Sequence, residues 1–416
     1  MRKILLVLII FFPALAFSQG FQVNLAGQKQ IGMGHTGTGT ALDGAAIFFN
    51  PGAVATLSQN YLQLGVSPVI FKSAFNPDNT NDNYHTGNNL AMPFSGYAAW
   101  GPEEAPWKVG LGVYTPYGGL TDWGQSWEGK YILEKMNLQS IYIQPTVSYR
   151  IDDMISIGAG FVYNRGSVDL TRAIPLANMA GADGQAELKG NGSGYGYNVG
   201  IYLIPDKKVS VGLNYRSKVD TRINSGNAIF TVPASVQSSF PQPNSFSSAL
   251  PLPATASVGV GFYPKSAMTF AFDINYVQWS TYKSLPFTYT QTSDVVVNTS
   301  SPKNYRDAIS IRGGFQYREK DKEGGKLYYD PWAYRFGAGY ATYAARTGYV
   351  SPEVPDGNRA FVTGGIGYTF MDQWDLDFSF EYEHIFERRQ TNLETALSGA
   401  YKTDIFIPGI SITYHW

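Results

Sequence analysis

The chain contains no cysteine, and past residue 18 it has no run of eighteen apolar residues. The first absence removes disulfides and any cysteine-anchored lipid. The second removes membrane-spanning helices, which need about twenty such residues. Charge is scarce as well: 15% of residues are Asp, Glu, Lys or Arg and the net charge is −1, where a globular chain averages about a quarter charged. So balanced a chain is poorly suited to grip nucleic acid or another polyanion. Only His35, His85, His384 and His415 are available for acid–base work. They show no metal-ligand spacing, no pairing with a nucleophile and no Gly-x-Ser-x-Gly elbow. Gly32-Met33-Gly34-His35-Thr36-Gly37 spells a dinucleotide fingerprint, but no strand precedes it and no βαβ unit surrounds it. No enzyme, metal or cofactor is expected.

Aromatics and glycine are plentiful, with aromatics at 15% and 45 glycines. Residues 1–18 read as a secretory signal: Arg2 and Lys3, then an apolar Ile4 to Phe12, then Ala16-Phe17-Ser18 before a cut at Gln19. Beyond Leu57 the hydrophobic period is two. About fourteen alternating segments follow, near 60–71, 94–100, 107–115, 140–151, 154–166, 193–204, 208–220, 254–263, 267–279, 306–318, 332–343, 359–370, 373–386 and 400–416. The clearest sets Trp374, Leu376, Phe378, Phe380 and Tyr382 on one face against Asp375, Asp377, Ser379, Glu381 and Glu383 on the other.

The connections choose between a soluble sandwich and a membrane barrel. Links 101–106, 152–153, 205–207, 264–266 and 371–372 are short. Those between them (72–93, 116–139, 167–192, 221–253, 280–305, 344–358 and 387–399) are long. Short turns on one side and long loops on the other predict an all-β transmembrane antiparallel barrel of about fourteen strands, spanning residues 58–416. The charged link 319–331 breaks the alternation. The C-terminal strand alternates to Trp416, and pairing it with the first strand removes both sheet edges from lipid.

Residues 19–57 fit neither pattern. Gly, Ala and Thr dominate, so this stretch buries too little apolar area to fold alone. It ends in a compact apolar cluster and an Asn50-Pro51-Gly52 turn, as a plug ordered by a surrounding barrel would.

Several segments together resemble the FadL/TodX family of outer-membrane transporters. Ile47-Phe48-Phe49-Asn50-Pro51-Gly52 is similar to the family's N-terminal hatch, which closes in Asn-Pro-Ala; Gly52 stands in place of that Ala. Thr115-Pro116-Tyr117-Gly118-Gly119-Leu120, followed by Trp127-Glu128-Gly129-Lys130-Tyr131, resembles the third-strand exit and its loop. Leu252-Pro253-Ala254, Tyr276-Val277-Gln278-Trp279-Ser280, Tyr305-Arg306-Asp307-Ala308 and Val354-Pro355-Asp356-Gly357-Asn358-Arg359 complete the set. The resemblance implies a Gram-negative outer-membrane location and a monomer among outer-membrane lipid or detergent. It also implies passive uptake of a long-chain fatty acid or another hydrophobic small molecule, with sideways exit past a hatch. A channel for aromatic or aliphatic hydrocarbons is the alternative within the family, and a general porin the alternative outside it.

A fatty acid needs an apolar slot and a cation for its carboxylate. The resemblance singles out Arg306 and Arg165, with Arg216 as a substitute. Face parity turns Arg306 and Arg216 toward the lumen and Arg165 toward lipid, so Arg165 needs a bulge to serve. The same parity sends Asp273, Arg312, Arg335, Asp375, Asp377, Glu381 and Glu383 inward, to be paired with one another. Leu120, Trp123, Trp127, Tyr131 and Leu133 in the loop 116–139 are expected to form an exposed hydrophobic landing groove. The hatch turn is Phe49, Asn50, Pro51 and Gly52.

Overall fold

The computed structural model describes residues 20–87, 89–179, 181–323 and 326–416. The expected signal sequence lies outside them. Among the described residues fourteen antiparallel strands form the wall. The first four are β1 (Tyr61–Val66 and Val69–Pro77), β2 (Asn89–Ala91 and Phe94–Trp100), β3 (Trp107–Asp122) and β4 (Lys135–Arg150). Next come β5 (Ile155–Ile174), β6 (Gly184–Asp206), β7 (Val209–Arg216 and Val219–Thr231) and β8 (Asn244–Leu252 and Thr255–Lys265). The last six are β9 (Met268–Val277), β10 (Ala308–Tyr317), β11 (Trp332–Ala341), β12 (Arg359–Phe370), β13 (Trp374–Thr391) and β14 (Ser398–His415). Leu64 of β1 sits opposite Gly96 of β2 and Ile412 of β14, so the sheet closes on itself. Asn60 and Trp416 then exchange both backbone hydrogen bonds, at 3.0 and 3.2 Å.

The two faces follow the parity of the sequence. On β13, Phe378 and Phe380 lie exposed on the outer face while Asp375, Asp377, Glu381 and Glu383 are buried. Phe272 and Ile274 on β9 repeat this around buried Asp273. Outward tryptophans and tyrosines, among them Trp100, Trp107, Tyr149, Trp332 and Tyr368, cluster at the ends of the short-turn side, as an interfacial belt does.

The strands run further than the alternation predicts on the long-loop side. Residues 116–122, 135–139, 167–174, 184–192, 221–231 and 387–391 are strand, not loop. The cause is a change of solvent. On β6 the outward residues Tyr195, Tyr197, Val199 and Ile201 are apolar, and the upper outward residues Gln185, Glu187 and Lys189 are polar. There the apolar residues, Ala186 and Leu188, turn inward to a cluster with Phe230, Phe240 and Phe246. Above the bilayer, water replaces lipid and the apolar face moves to the inside. Within the anomalous link 319–331, Lys320–Glu323 pair antiparallel with Lys326–Tyr329.

Residues 20–57 lie inside the barrel and contribute much of its buried apolar cluster. Two short helices, α1 (Gln28–Gly32) and α2 (Ala46–Phe49), and a 3-10 turn (Pro51–Thr56) give this segment its shape. Inward-facing glycines make the approach feasible: a Cβ on Gly212 would lie 1.7 Å from the Thr38 carbonyl oxygen.

Candidate functional site

The lumenal segment is held by charge on one side of the barrel and by backbone on the other. On β11–β13, Lys29 pairs with Asp375 at 2.7 Å, His35 Nε2 meets Glu381 at 2.8 Å, and Arg335 pairs with Asp377 at 2.6 Å. Asp273 accepts from the Gly37 and Thr38 amides, both at 2.9 Å. The carboxylates of β13 thus meet basic side chains, as buried charges generally must, whereas Asp273 is met by backbone amides and Arg312 by the His35 carbonyl at 3.4 Å. Opposite them, Asn50 donates to the carbonyls of Thr38 and Ile201 at 3.0 Å each, and accepts from the Gly52 amide at 3.0 Å. That last bond caps the 3-10 turn, which is why Asn precedes Pro51. Arg216 donates to the Phe48 carbonyl, and Gln144 to that of Ile47.

The start of the segment does something different. Residues 21–23 run along β3 as an extra strand. Val23 N–H donates to Pro116 O at 2.8 Å and Gly118 N–H to Phe21 O at 3.1 Å, with Gln22 bridged to Tyr117. β3 is free to pair inward here because it has lost its neighbour. The β2–β3 ladder runs only from Trp100↔Val109 to Ser95↔Tyr114. Past it, β3 bulges between Tyr114 and Tyr117, while Asn89–Ala91 pair back onto β1 alone. Among the described residues no ladder bond joins 89–93 to 116–121. Pro93 and Pro116, lacking N–H groups, could donate none, and their carbonyls accept from Ser67 and Val23 instead. Gly87 N–H to Asp122 O, 2.8 Å, closes the top of this gap.

Behind the gap is a cavity of about 370 Å³, lined in part by Val69, Phe71, Met92, Leu120 and Leu138. A second, mostly apolar cavity of about 70 Å³ lies under the extracellular loops, between Leu170, Ile223, Leu250, Leu285 and Phe287. Phe21, Leu138, Gln139, Glu353 and Val354 border both. Phe21 stands between them, its ring edge-on to Trp279 (4.6 Å), Tyr282 (5.8 Å) and Tyr117 (6.2 Å). Among the described residues, charge in these linings is limited to Arg359 and Glu353 in the first and Lys303 and Glu353 in the second. Arg359 is already bound to Glu383 at 3.0 Å and Asp356 at 3.4 Å. Lys303 Nζ reaches Glu353 at 3.5 Å. Burial pushes the Glu353 carboxyl up, but the Lys303 charge helps to hold it below the ordinary glutamate value.

The three cations expected to hold a carboxylate are dispersed. Arg165 is exposed on the outer face of β5, with no bulge to turn it in. Arg306 precedes β10 and folds over the Tyr343 ring at 3.7 Å, outside the lining of both apolar cavities. Arg216 is lumenal, but it faces a third, polar cavity of about 20 Å³ together with Arg312. The landing groove also needs correction. Trp123, Trp127 and Leu133 are buried, the two indoles stacked at 4.8 Å and their N–H groups bound to the carbonyls of Pro352 and Leu133. Leu120 lines the larger cavity, and Tyr131 alone of the five is exposed. Indole rings of this size are drawn into the loop core, where their N–H groups still find partners.

Sequence reasoning passed over Phe21, Lys303 and Glu353. Phe21 is the first aromatic after the expected cleavage point, and Lys303 lies two residues before the Tyr305-Arg306 motif. Glu353 sits beside the Val354-Pro355 motif, yet nothing local to it signals a cavity.

A family model for an outer membrane protein transport protein (OMPP1/FadL/TodX) matches residues 9–416. The long-chain fatty acid transport protein of Salmonella typhi is 24% identical over 412 residues, covering 92% of this chain and 91% of that one. Its Escherichia coli K12 counterpart is 22% identical over 428 residues, covering 92% of each. A Pseudomonas aeruginosa FadL homologue superposes with a TM-score of 0.79 at 18% identity, over 95% of this chain and 99% of that one. The Pseudomonas putida toluene transporter TodX gives 0.70 at 16% identity, over 96% and 99%.

Proposed function

This chain belongs to the OMPP1/FadL/TodX family of outer-membrane transport proteins, and from that premise we propose that it takes up long-chain fatty acids passively and releases them sideways into the bilayer. It is a transport protein of the Gram-negative outer membrane and not an enzyme. The fatty-acid assignment draws on the relatives that match nearly the full length. A hydrocarbon channel is the second reading, supported by the toluene transporter among its structural neighbours and by the scarcity of cations in the apolar linings.

The observation that carries the proposal is the unpaired stretch between 89–93 and 116–121, with the larger cavity directly behind it. A greasy ligand gains by leaving through a wall into lipid and loses by leaving through water. In the proposed path it enters the small cavity under the loops, passes Phe21, occupies the larger cavity and slips out between β2 and β3. Phe21 and the strand-like residues 21–23 form the gate. The rest of the hatch stays anchored by the Lys29 and Asn50 contacts, and the protein works as a monomer.

Placing a charge in the gap tests this. Ala91→Glu or Leu120→Glu is expected to cut uptake of a labelled long-chain fatty acid by roughly tenfold or more, the cost of drawing an alkyl chain past an ionised group. Ligand binding in the smaller cavity of the purified protein should survive in the Ala91→Glu variant, because Ala91 borders the larger cavity and not that one. Undiminished uptake by both variants would remove the lateral route.

A further inference from the structure

Lys303 and Glu353 form an ion pair with an unusual address. Among the described residues they are the only charged ones in the lining of the smaller apolar cavity, and Glu353 also borders the larger one. Lys303 is 5% exposed. Its ammonium carries three N–H groups, and the structure gives it one partner, a long hydrogen bond of 3.5 Å to Glu353 Oε1. Glu353 Oε2 is sealed from solvent with no hydrogen-bond partner. A structural ion pair in so apolar a place ordinarily satisfies its remaining donors and acceptors, because leaving them open is costly. Here Glu353 Oε2 has no partner and the Lys303 ammonium has one, at the boundary of two cavities whose other lining side chains are neutral apart from Arg359 in the larger.

Resting on the transport reading above, we propose that Lys303 and Glu353 are the head-group site, and that they select an amphiphile whose head is neutral and both donates and accepts a hydrogen bond: a long-chain alcohol or a protonated fatty acid. The head accepts from Lys303 Nζ and donates to Glu353 Oε2, giving each a partner it lacks. The alkyl tail lies among Leu250, Leu285 and Phe287. An ionised carboxylate gains the Lys303 contact but meets the Glu353 charge beside it and has no proton to give. A hydrocarbon leaves both groups as they were. Selection by head group therefore ranks alcohol and protonated acid above alkane, with the ionised acid gaining no advantage over the alcohol. A ligand that reaches the site as the neutral acid is also the form that enters lipid most readily on leaving.

The test compares dodecanol, dodecane and dodecanoate by equilibrium dialysis against the purified full-length protein, at about pH 9 so that the acid is ionised. Dodecanol is expected to bind roughly tenfold tighter than dodecane, the size of one hydrogen bond to a charged group. Dodecanoate is expected to bind no tighter than dodecanol. Glu353→Gln should then raise dodecanoate affinity roughly tenfold by leaving Lys303 an unopposed cation. Lys303→Met paired with Glu353→Gln removes both charges and leaves neither stranded. It should fold, as judged by heat-modifiable gel mobility, and lose the preference for dodecanol over dodecane. The proposal is overturned if dodecanoate outbinds dodecanol on the unaltered protein, or if Glu353→Gln leaves dodecanoate unchanged. Equal binding of all three removes the head-group site and keeps the transport reading; binding of none removes both.

Discussion

The guanidinium of Arg216 lies 4.2 Å from the centre of the Phe48 ring and donates to the Phe48 carbonyl at 2.7 Å. One barrel side chain thus grips both the ring and the backbone of the lumenal segment, just ahead of Asn50. Replacing Arg216 with Met should free residues 44–57 to exchange amide hydrogens faster, by a factor matching about 1.5–3 kcal/mol for a charged hydrogen bond. Lys should rescue only part of this, since it cannot stack as a planar group does. Hydrogen–deuterium exchange mass spectrometry reads both effects, and protection within β13 should stay unchanged.

Gly52 abuts the Gly200 carbonyl so closely that a Cβ would lie 2.7 Å from its oxygen. Gly52→Ala, which restores the Asn-Pro-Ala form of the turn, should push the turn off β6 and cost about 1–3 kcal/mol of docking. Gly200→Ala should be worse, because its Cβ would meet Asn50 Oδ1 at 2.0 Å. Protease sensitivity of the lumenal segment in the two variants gives the ranking.

Arg306→Ala should leave affinity for both fatty acid and hydrocarbon within about twofold, because the side chain stacks on Tyr343 away from both apolar cavities, and surface packing changes seldom reach a distant site. Equilibrium binding with the two ligand classes checks it. A selective loss for the ionised acid would return Arg306 to the carboxylate role that the sequence motif suggests.

Phe21→Ala removes the ring that divides the cavities and keeps the backbone bonds of residues 21–23 to β3. Uptake should become faster and less discriminating as a gating contact is lost. Comparing initial uptake rates for a straight-chain acid and a bulkier aromatic measures both properties.

Much of this architecture is readable from residue order, and the unread portion has physical causes. Trp374 to Glu383 alternate because lipid and lumen differ sharply in polarity, so the face of every membrane-level residue follows from counting. The same rule brings Asp375, Asp377 and Glu381 inward but does not say that Lys29, Arg335 and His35 meet them, since those pairings join parts of the chain remote in sequence. Gln185 to Gly192 were opaque as strand because the sign of the alternation reverses above the bilayer. Arg165 and Arg306 were prominent as motif neighbours, yet a cavity is made by whichever side chains converge on it. Lys303 and Glu353 come together from two loops, and no local pattern announces such a meeting.

The barrel closes along the ladder of β1 with β14, from Tyr61↔His415 upward, and the bonds between Asn60 and Trp416 extend it. The wall therefore cannot close until β14 has reached β1. The residues that end up enclosed, 20–57, are the first of the described chain to be delivered. A preformed cylinder would oblige the charged side chains of Lys29 and His35 to find Asp375 and Glu381 inside an already closed wall. Casting the wall around a core already in place avoids that search. Trimming Trp416 is accordingly expected to delay protease protection of residues 20–57 and of the first strand together, so that the enclosed segment would report on the arrival of β14.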